Sequence, residues 1–185
     1  ACGIIGSRQI SLLRERAIFK KGKYEMDKNE VYAYLSDKGI GYEVTEHKAV
    51  FNMEELGSVE LPYPEWDAKN LFLRDDRRNG YFLITVKGDK RVDIKKYRRQ
   101  HGLRPLSFAS PEELWDILGL TPGSVSPFGV LNGGGREVRV YIDAEFAGGM
   151  IGVHPNDNTA TVWLRADDLA DIIRENGGTV EYTDI

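Results

Sequence analysis

Two apolar segments separated by a turn signal constrain the fold of this chain more than any other feature. Residues 70–74 and 81–87 are mostly apolar, and the hexapeptide DDRRNG joins them. Its last two residues, Asn79 and Gly80, are typical of a tight turn between antiparallel strands. The sequence therefore predicts a β-hairpin near the middle of the chain, and with it an antiparallel part of a sheet.

The remaining elements predict an α+β domain. Helix starts are strongest at Asp27, where Glu30 follows at the spacing of a capping box, and at Ser110, where Pro111 comes next. Helices are expected at residues 27–38, 93–101, 110–119 and 166–176, with a helical turn at 52–56, and further strands at 41–47, 138–142, 150–153, 159–164 and 179–183. Strands outnumber helices and occur in hairpins rather than in β-α-β alternation, which predicts a mixed, largely antiparallel sheet. A chain of 185 residues is long enough for one such domain.

The first 25 residues differ from the rest of the chain. They lack the long apolar segment and the cleavage site of a signal peptide. Met26 directly precedes the first predicted helix start, which fits an initiator methionine. We therefore interpret residues 1–25 as a leader or expression tag outside the fold, with a native arm as the alternative, and residues 26–185 as the folded domain.

Charge is distributed unevenly over this expected domain. Without residues 1–25 it holds 19 basic and 27 acidic residues, a net charge of −8. Such a protein repels nucleic acid as a whole, yet residues 69–104 contain 12 basic and only four acidic side chains. By charge alone this stretch is more typical of a solvated hairpin and helix face, with a local site for a phosphate backbone as the alternative.

Composition and missing motifs exclude several classes of protein. No apolar run approaches the roughly 20 residues that span a bilayer, so no membrane partner is expected. Cys2 is the only cysteine, which excludes an intrachain disulfide and fits a reducing cytoplasm. The phosphate-loop, HExxH and Gly-x-Ser-x-Gly signatures are absent, and the glycine run at residues 133–135 does not open a helix. We therefore expect neither a metal nor a cofactor.

The first of three places that could carry chemistry is the start of the predicted hairpin. Lys69 and Asn70 precede the apolar residues of the first strand. A lysine at the end of a strand can present its ammonium group to a phosphate as a point charge. Taken alone, Lys69 is equally typical of an ordinary surface lysine.

The second place is the sequence GSVSP at residues 123–127. Gly123 lets the backbone approach a ligand closely, and Pro127 stiffens the loop. Such a loop can offer fixed N–H and C=O groups to a ribose or to an ester carbonyl. Its two serines, Ser124 and Ser126, lack an obvious partner base, and a plain turn is the alternative interpretation.

The third place is the end of the predicted strand at 150–153. His154 follows Val153 directly, and Pro155 restricts its backbone. Histidine can bind a hydroxyl group or transfer a proton near neutral pH. By itself, this residue is also typical of a hydrogen-bonded loop histidine.

Together the three places resemble a known family. The order of AKNLFLRD, GSVSPFG and GVHPNDNTATVWL along the chain is similar to the YbaK/ProX family of aminoacyl-tRNA deacylases. The similarity extends to EHKAVFNMEEL at residues 46–56, although Asn52 stands where the family often has threonine. The resemblance is greatest to the free-standing branch that removes alanine from proline tRNA. It implies an α+β fold of the YbaK type, with a barrel-like, mostly antiparallel sheet flanked by helices.

The resemblance also implies roles for individual residues. Lys69 would contact the phosphate of the acceptor end, and Asn70 would help to hold the substrate. The backbone of the loop at 123–127 would position the adenosine and polarise the ester. The catalytic set implied in this way is Lys69, Gly123 and His154, and the substrate-binding set is Asn70, Ser124, Ser126, Pro127, Val153 and Phe51. No metal, cofactor or protein nucleophile is implied, because a ribose hydroxyl of the tRNA would help to activate water.

The implied substrate is the ester between an amino acid and the terminal adenosine of proline tRNA. Alanine is the expected amino acid, and cysteine or another small residue is the alternative. The acceptor end of the tRNA is the expected partner, and prolyl-tRNA synthetase or an elongation factor would be the protein partner. A non-catalytic tRNA-binding or regulatory homologue is the alternative from a different functional class.

Overall fold

A computed structural model describes residues 26–49, 60–133 and 137–185 of the chain. Three sequence-based predictions lie outside the described residues: the leader at 1–25, the helical turn at 52–56 and the role of Phe51. The described residues contain no helix that is both long and apolar enough to cross a membrane.

Four α-helices form in the described part of the chain, and their ends follow local capping rules. They are α1 (Lys28–Asp37), α2 (Ile94–Gln100), α3 (Pro111–Leu118) and α4 (Ala166–Glu175). Asp27 caps α1 and Ser110 caps α3, each in a reciprocal capping box. Such caps satisfy backbone N–H groups at the helix start. Both predicted helix starts are confirmed. They could be predicted because the capping groups lie within three residues of one another.

Eight strands form two sheets. The strands are β1 (Tyr42–Glu46), β2 (Ala68–Asp75), β3 (Tyr81–Lys87), β4 (Leu106–Phe108), β5 (Val138–Asp143), β6 (Met150–Val153), β7 (Ala160–Arg165) and β8 (Thr179–Thr183). One sheet has the order β1-β7-β6 and the other β4-β2-β3-β5-β8. Only the β3–β5 and β5–β8 pairs are parallel. The prediction of a mixed, mostly antiparallel α+β domain is confirmed, although the described strands form two sheets and no closed barrel.

Two hydrophobic cores lie on opposite faces of the five-stranded sheet. The first core joins that sheet to the three-stranded sheet, and contains Phe72 and Leu83 from one and Ile151 and Val153 from the other. The second core lies beneath α2, whose Tyr97 packs with residues such as Leu73, Ile84 and Val86. Side chains alternate between the two faces along each strand. Each sheet therefore has an inner face on the first core and an outer face directed away from it.

Among the described residues, one isolated β-bridge joins the two sheets. Asp67, directly before β2, pairs in parallel with Gly152 of β6. At this point the start of β2 and the strand β6 run side by side. The bridge therefore decides which side chains of the two sheets can meet on one surface.

The β2–β3 hairpin is confirmed, but its turn differs from the predicted Asn-Gly type. The residue with positive φ is Arg78, at 56°, rather than Asn79 or Gly80. The carboxylate of Asp75 accepts hydrogen bonds from the backbone N–H groups of Arg77, Asn79 and Gly80, at 3.0, 3.0 and 3.1 Å. This longer turn is favoured over a two-residue Asn-Gly turn because one buried carboxylate satisfies three backbone donors at once.

The sequence did not predict four short elements of the described residues. These are the edge strand β4 and the three 3₁₀ segments Pro64–Trp66, Pro127–Asn132 and Ala144–Phe146. Each is too short to produce a hydrophobic period, and β4 forms because it pairs with residues 73–75 of β2.

Candidate active site

The Asp67–Gly152 bridge brings Lys69 and His154 onto one face. Lys69 follows Asp67 by two residues, His154 follows Gly152 by two residues, and the two bridged segments run parallel. Because side chains alternate, residues 67 and 69 share one face of β2, and residues 152 and 154 share the corresponding face at the end of β6. Lys69 and His154 therefore both belong to the outer surface where the sheets join.

Lys69 is partly buried on this surface. Burial lowers the pKa of its ammonium group, Asp89 raises that pKa, and Arg91 lowers it. Among the described residues, no carboxylate forms an ion pair with Lys69 and no hydrogen bond joins it to Gly123 or His154. A desolvated ammonium without an ion pair is well suited to a phosphate.

Asn70 lies on the opposite face of β2 and fastens the loop at 123–127. Its Nδ2 donates to the carbonyl oxygen of Val125 at 3.2 Å. Its Oδ1 accepts from the hydroxyl of Thr85 on β3 at 2.7 Å. The amide of Asn70 therefore holds the loop from the inner face of β2 and links it to β3.

Two internal features define the shape of the loop. Gly123 has a φ of 93°, a conformation that residues with a side chain rarely adopt. The hydroxyl of Ser124 donates to the carbonyl of Thr121 at 2.9 Å and accepts from its N–H at 3.2 Å. Ser124 thus closes the turn with its own side chain rather than presenting it to a ligand.

Ser126 connects the loop to His154. Its fully buried hydroxyl donates to the backbone carbonyl of His154 at 2.5 Å and accepts from the N–H of Phe128 at 3.1 Å. Pro127, also buried, opens the 3₁₀ segment that follows. The loop and the end of β6 are therefore held as one unit, and two of the three predicted places are in direct contact.

The imidazole of His154 is held by β7. Its Nδ1 lies 2.9 Å from the carbonyl oxygen of Ala160. Burial lowers the pKa of His154, the Ala160 carbonyl raises it, His47 lowers it, and Asp157 raises it. The side chain of Val153 packs in the first core, so it supports this segment from the inner face.

Sequence reasoning assigned no role to two residues beside this site. His47 lies with its ring centroid 6.0 Å from that of His154, and its Nε2 is 3.1 Å from the hydroxyl of Thr161. The carboxyl of Asp67 is 7% exposed, and burial raises its pKa to about 7. The one feature of the sequence that could have identified His47 is that the chain has only three histidines. Nothing in the sequence marked Asp67 as buried.

The basic stretch divides into paired and unpaired cations. Arg74, Lys87, Lys90 and Arg104 each contact a carboxylate within 4 Å. Within the described ranges, no ion pair involves the four basic residues of α2, which are Lys95, Lys96, Arg98 and Arg99. The outer face of the five-stranded sheet, with Lys69 at one end, therefore carries a helix with uncompensated positive charge.

This arrangement favours chemistry by positioning and electrostatics. Ser126 joins the loop to the backbone carbonyl of His154, and Lys69, which forms no ion pair with any described residue, lies on the outer face of β2. Nowhere in the described part of the chain do three or more histidine, cysteine, aspartate or glutamate residues gather as a metal site would require. Backbone donors of such a loop can stabilise the oxyanion that develops when an ester is attacked.

Comparison with known proteins places these residues in a family. Residues 47–172 match the model of the aminoacyl-tRNA editing domain. The chain is 39% identical over 163 residues to the prolyl-tRNA editing protein ProX of Acetoanaerobium sticklandii, covering 87% of this chain and 99% of that protein. It is 29% identical over 148 residues to the prolyl-tRNA synthetase associated domain-containing protein 1 of Bos taurus, covering 77% of this chain and 86% of that protein.

The fold has counterparts among solved structures. One is a candidate trans-editing enzyme for prolyl-tRNA synthetase, which superposes with a TM-score of 0.61 at 22% identity. The superposition covers 87% of this chain and 99% of that one. Both ends of the matched family region, at His47 and in α4, lie within the domain described above.

Proposed function

The chain belongs to the aminoacyl-tRNA editing family, and from this premise we propose that it removes alanine from mischarged proline tRNA. As a trans-editing deacylase, it would hydrolyse the ester between the amino acid and the terminal adenosine. Water adds to the ester carbonyl, the bond from the carbonyl carbon to the ribose oxygen breaks, and that oxygen takes up a proton. The products are a free amino acid and an uncharged tRNA.

The observation that carries this proposal is the connection between the loop at 123–127 and His154. The hydroxyl of Ser126 joins the two at 2.5 Å, and Asn70 holds the same loop from β2 at 3.2 Å. A preorganised group of this kind lowers the barrier by holding the ester near the geometry of attack. An aminoacyl ester is already activated, so positioning and oxyanion stabilisation can suffice without a protein nucleophile.

In the proposed complex, each element has one task. The ammonium group of Lys69 binds a phosphate of the acceptor end. The loop backbone around Gly123 contacts the terminal adenosine and the ester carbonyl. His154 lines the space for the amino acid, and a ribose hydroxyl of the tRNA helps to activate the water.

The basic helix α2 supports an RNA substrate in particular. Lys95, Lys96 and Arg99 of this helix are exposed and Arg98 is half-buried. The helix lies on the outer face that also carries Lys69, and Arg91, which precedes α2 in the sequence, acts electrostatically on Lys69. We propose that the acceptor stem lies along this surface, because cations without a carboxylate partner lose no ion pair when they bind phosphate. Prolyl-tRNA synthetase or an elongation factor would then approach the tRNA from its other side, in the cytoplasm.

Alanine is the proposed amino acid because of the limits of size selection. A synthetase pocket that holds proline also accepts a smaller residue, because the smaller residue loses only some apolar contacts. The resulting difference in binding free energy is only ~1–3 kcal/mol. A second pocket that admits alanine and excludes proline removes the resulting errors. Cysteine or another small residue remains the alternative substrate.

A panel of proline tRNAs charged with alanine, cysteine, serine or proline tests this function. We expect alanyl-tRNA to be hydrolysed fastest and prolyl-tRNA to stay intact. Faster hydrolysis of the cysteinyl ester would reassign the substrate within the same class. Binding of all four tRNAs without hydrolysis would instead indicate a non-catalytic homologue.

A further inference from the structure

Two histidines lie together on the outer face of the three-stranded sheet. The ring centroids of His47 and His154 are 6.0 Å apart, with an interplanar angle of 54°. Both rings are held by consecutive residues of β7, because His154 contacts Ala160 and His47 contacts Thr161. Their separation is thus fixed by one strand rather than by two independent loops.

Hydrogen-bond partners define which nitrogen of each ring carries a proton. The carbonyl of Ala160 can only accept, so Nδ1 of His154 must donate to it, and in the neutral ring Nε2 keeps its lone pair. None of the described residues hydrogen-bonds this Nε2. Nδ1 of His47 likewise donates to the carbonyl of Lys48, so its neutral Nε2 accepts from Thr161.

The charges around His154 come from several elements. Burial and His47, at the end of β1, lower its pKa, while Asp157 in its own loop raises it. Lys28 of α1 acts electrostatically on Asp157 and is itself paired with Glu46. Lys69 of β2 lies on the same outer surface. Burial is therefore the largest influence against a positive charge on His154, and His47 is the neighbouring side chain that adds to it.

We propose that His47 is a positioning residue that keeps His154 uncharged, with Nε2 free to accept a hydrogen bond from the α-ammonium group of the aminoacyl ester. The substrate carries this positive charge beside its reactive carbonyl. A charged imidazole would repel the ammonium group, whereas a neutral one can accept from it. This substrate role rests on the proposed function, but the effect of His47 on His154 does not.

The coupling is measured directly by following the His154 ring during a pH titration by NMR. We expect His47→Gln to move the titration midpoint of His154 to higher pH, because the repulsion between two protonated imidazoles at acid pH is removed. His101→Gln is the matched control, since the third histidine stacks on Tyr97 at 4.2 Å beneath α2 and should leave the midpoint unchanged. An unchanged midpoint in His47→Gln would overturn the inference.

A second variant keeps the test decisive if His47→Gln does not fold. Thr161→Val removes the hydroxyl that holds His47 and leaves the bond between His154 and Ala160 in place. We expect the His154 midpoint to change, because the ring of His47 loses the contact that fixes its position beside His154. An unaltered His154 titration in this variant would also contradict the proposal.

Activity gives an independent readout of the substrate role. With alanyl-tRNA(Pro), kcat/KM of the wild type should fall on the acid side as His154 gains its proton. In His47→Gln this fall should occur at higher pH, in step with the NMR midpoint. If no ester is hydrolysed, the proposed function fails while the NMR coupling still stands. If activity is normal and the coupling is absent, the inference fails alone.

Discussion

Asp67 and Gly152 form the parallel bridge at which the two sheets of this protein meet. The side chains two residues beyond them, Lys69 and His154, consequently share one outer surface. On the inner side of the same strands, Asn70 fastens the loop at 123–127 and Val153 enters the first core. Lys69 and His154 therefore lie on the side of the bridge opposite to the residues that hold the loop and the first core.

Lys69→Ala should reduce deacylation by about 10²-fold or more without unfolding the protein. Lys69 has no carboxylate partner among the described residues, so its removal leaves no buried charge unpaired. Single-turnover rates with alanyl-tRNA(Pro), together with thermal unfolding, provide the measurement. Lys38→Ala is the control, because Lys38 pairs with Glu175 at 2.6 Å on the surface near α1 and α4. Wild-type rates in Lys69→Ala would exclude the role proposed for this lysine.

Asn70→Asp should lower kcat/KM by about 10- to 100-fold, although the two side chains have nearly the same shape. The substitution replaces the Nδ2 donor to Val125 with an oxygen that cannot donate, while an acceptor for Thr85 is retained. The loop would therefore lose its tether to β2. Thr85→Val removes only the other hydrogen bond of Asn70 and should affect activity less. Equal losses in the two variants would argue against tethering of the loop as the function of Asn70.

Ser126→Ala should decrease the free energy of unfolding by about 1–3 kcal/mol, because the His154 carbonyl and the Phe128 N–H both lose a buried partner. Urea unfolding followed by tryptophan fluorescence gives this value. Ser36→Ala is a suitable comparison, since the hydroxyl of Ser36 contacts Tyr42 at an exposed position and should contribute less than about 0.5 kcal/mol. Activity should fall together with stability in Ser126→Ala. A variant as stable as the wild type would show that the loop is held by other contacts.

Asp67→Asn should stabilise the protein at high pH. Burial raises the pKa of the Asp67 carboxyl from 3.8 to about 7, so the folded state binds its proton more tightly than the unfolded state. The resulting contribution to stability is complete below about pH 4 and is lost as pH rises through 7. Asparagine does not ionise. The free energy of unfolding of Asp67→Asn, relative to that of the wild type, should therefore be higher at pH 9 than at pH 4 by on the order of 2–4 kcal/mol. Urea unfolding at several pH values measures the difference.

Asp93→Asn serves as the control of opposite sign for Asp67. The N–H of Lys96 at the start of α2 is the largest influence on the pKa of Asp93 and lowers it. The ionised Asp93 therefore stabilises the protein above the pKa of its unfolded state, and this contribution is lost as pH falls through its folded pKa. At neutral pH, Asp93→Asn should consequently be less stable than the wild type. If the free energies of unfolding of the two variants, relative to the wild type, changed with pH in the same direction, Asp67 would not be a buried carboxyl of raised pKa.

Much of the fold could be predicted because its determinants are local. The caps at Asp27 and Ser110 act within three residues. Alternating or continuous apolar residues identified the strands at 81–87, 150–153 and 179–183 with their observed ends. The turn after β2 was predicted less well, since Asp75, at the end of the strand, reaches around the turn to three backbone donors and makes Arg78 the residue of positive φ.

The sequence by itself therefore determined the elements, the three places that could carry chemistry and the resemblance to a family. Only the tertiary structure decided how those places meet, because strand pairing joins residues that are far apart along the chain. The bridge between Asp67 and Gly152 aligns Lys69 with His154, and the bond from Ser126 draws the loop to the same segment. His47 and Asp67 gained their significance in the same way, since burial and neighbouring charge arise only when distant strands pack together.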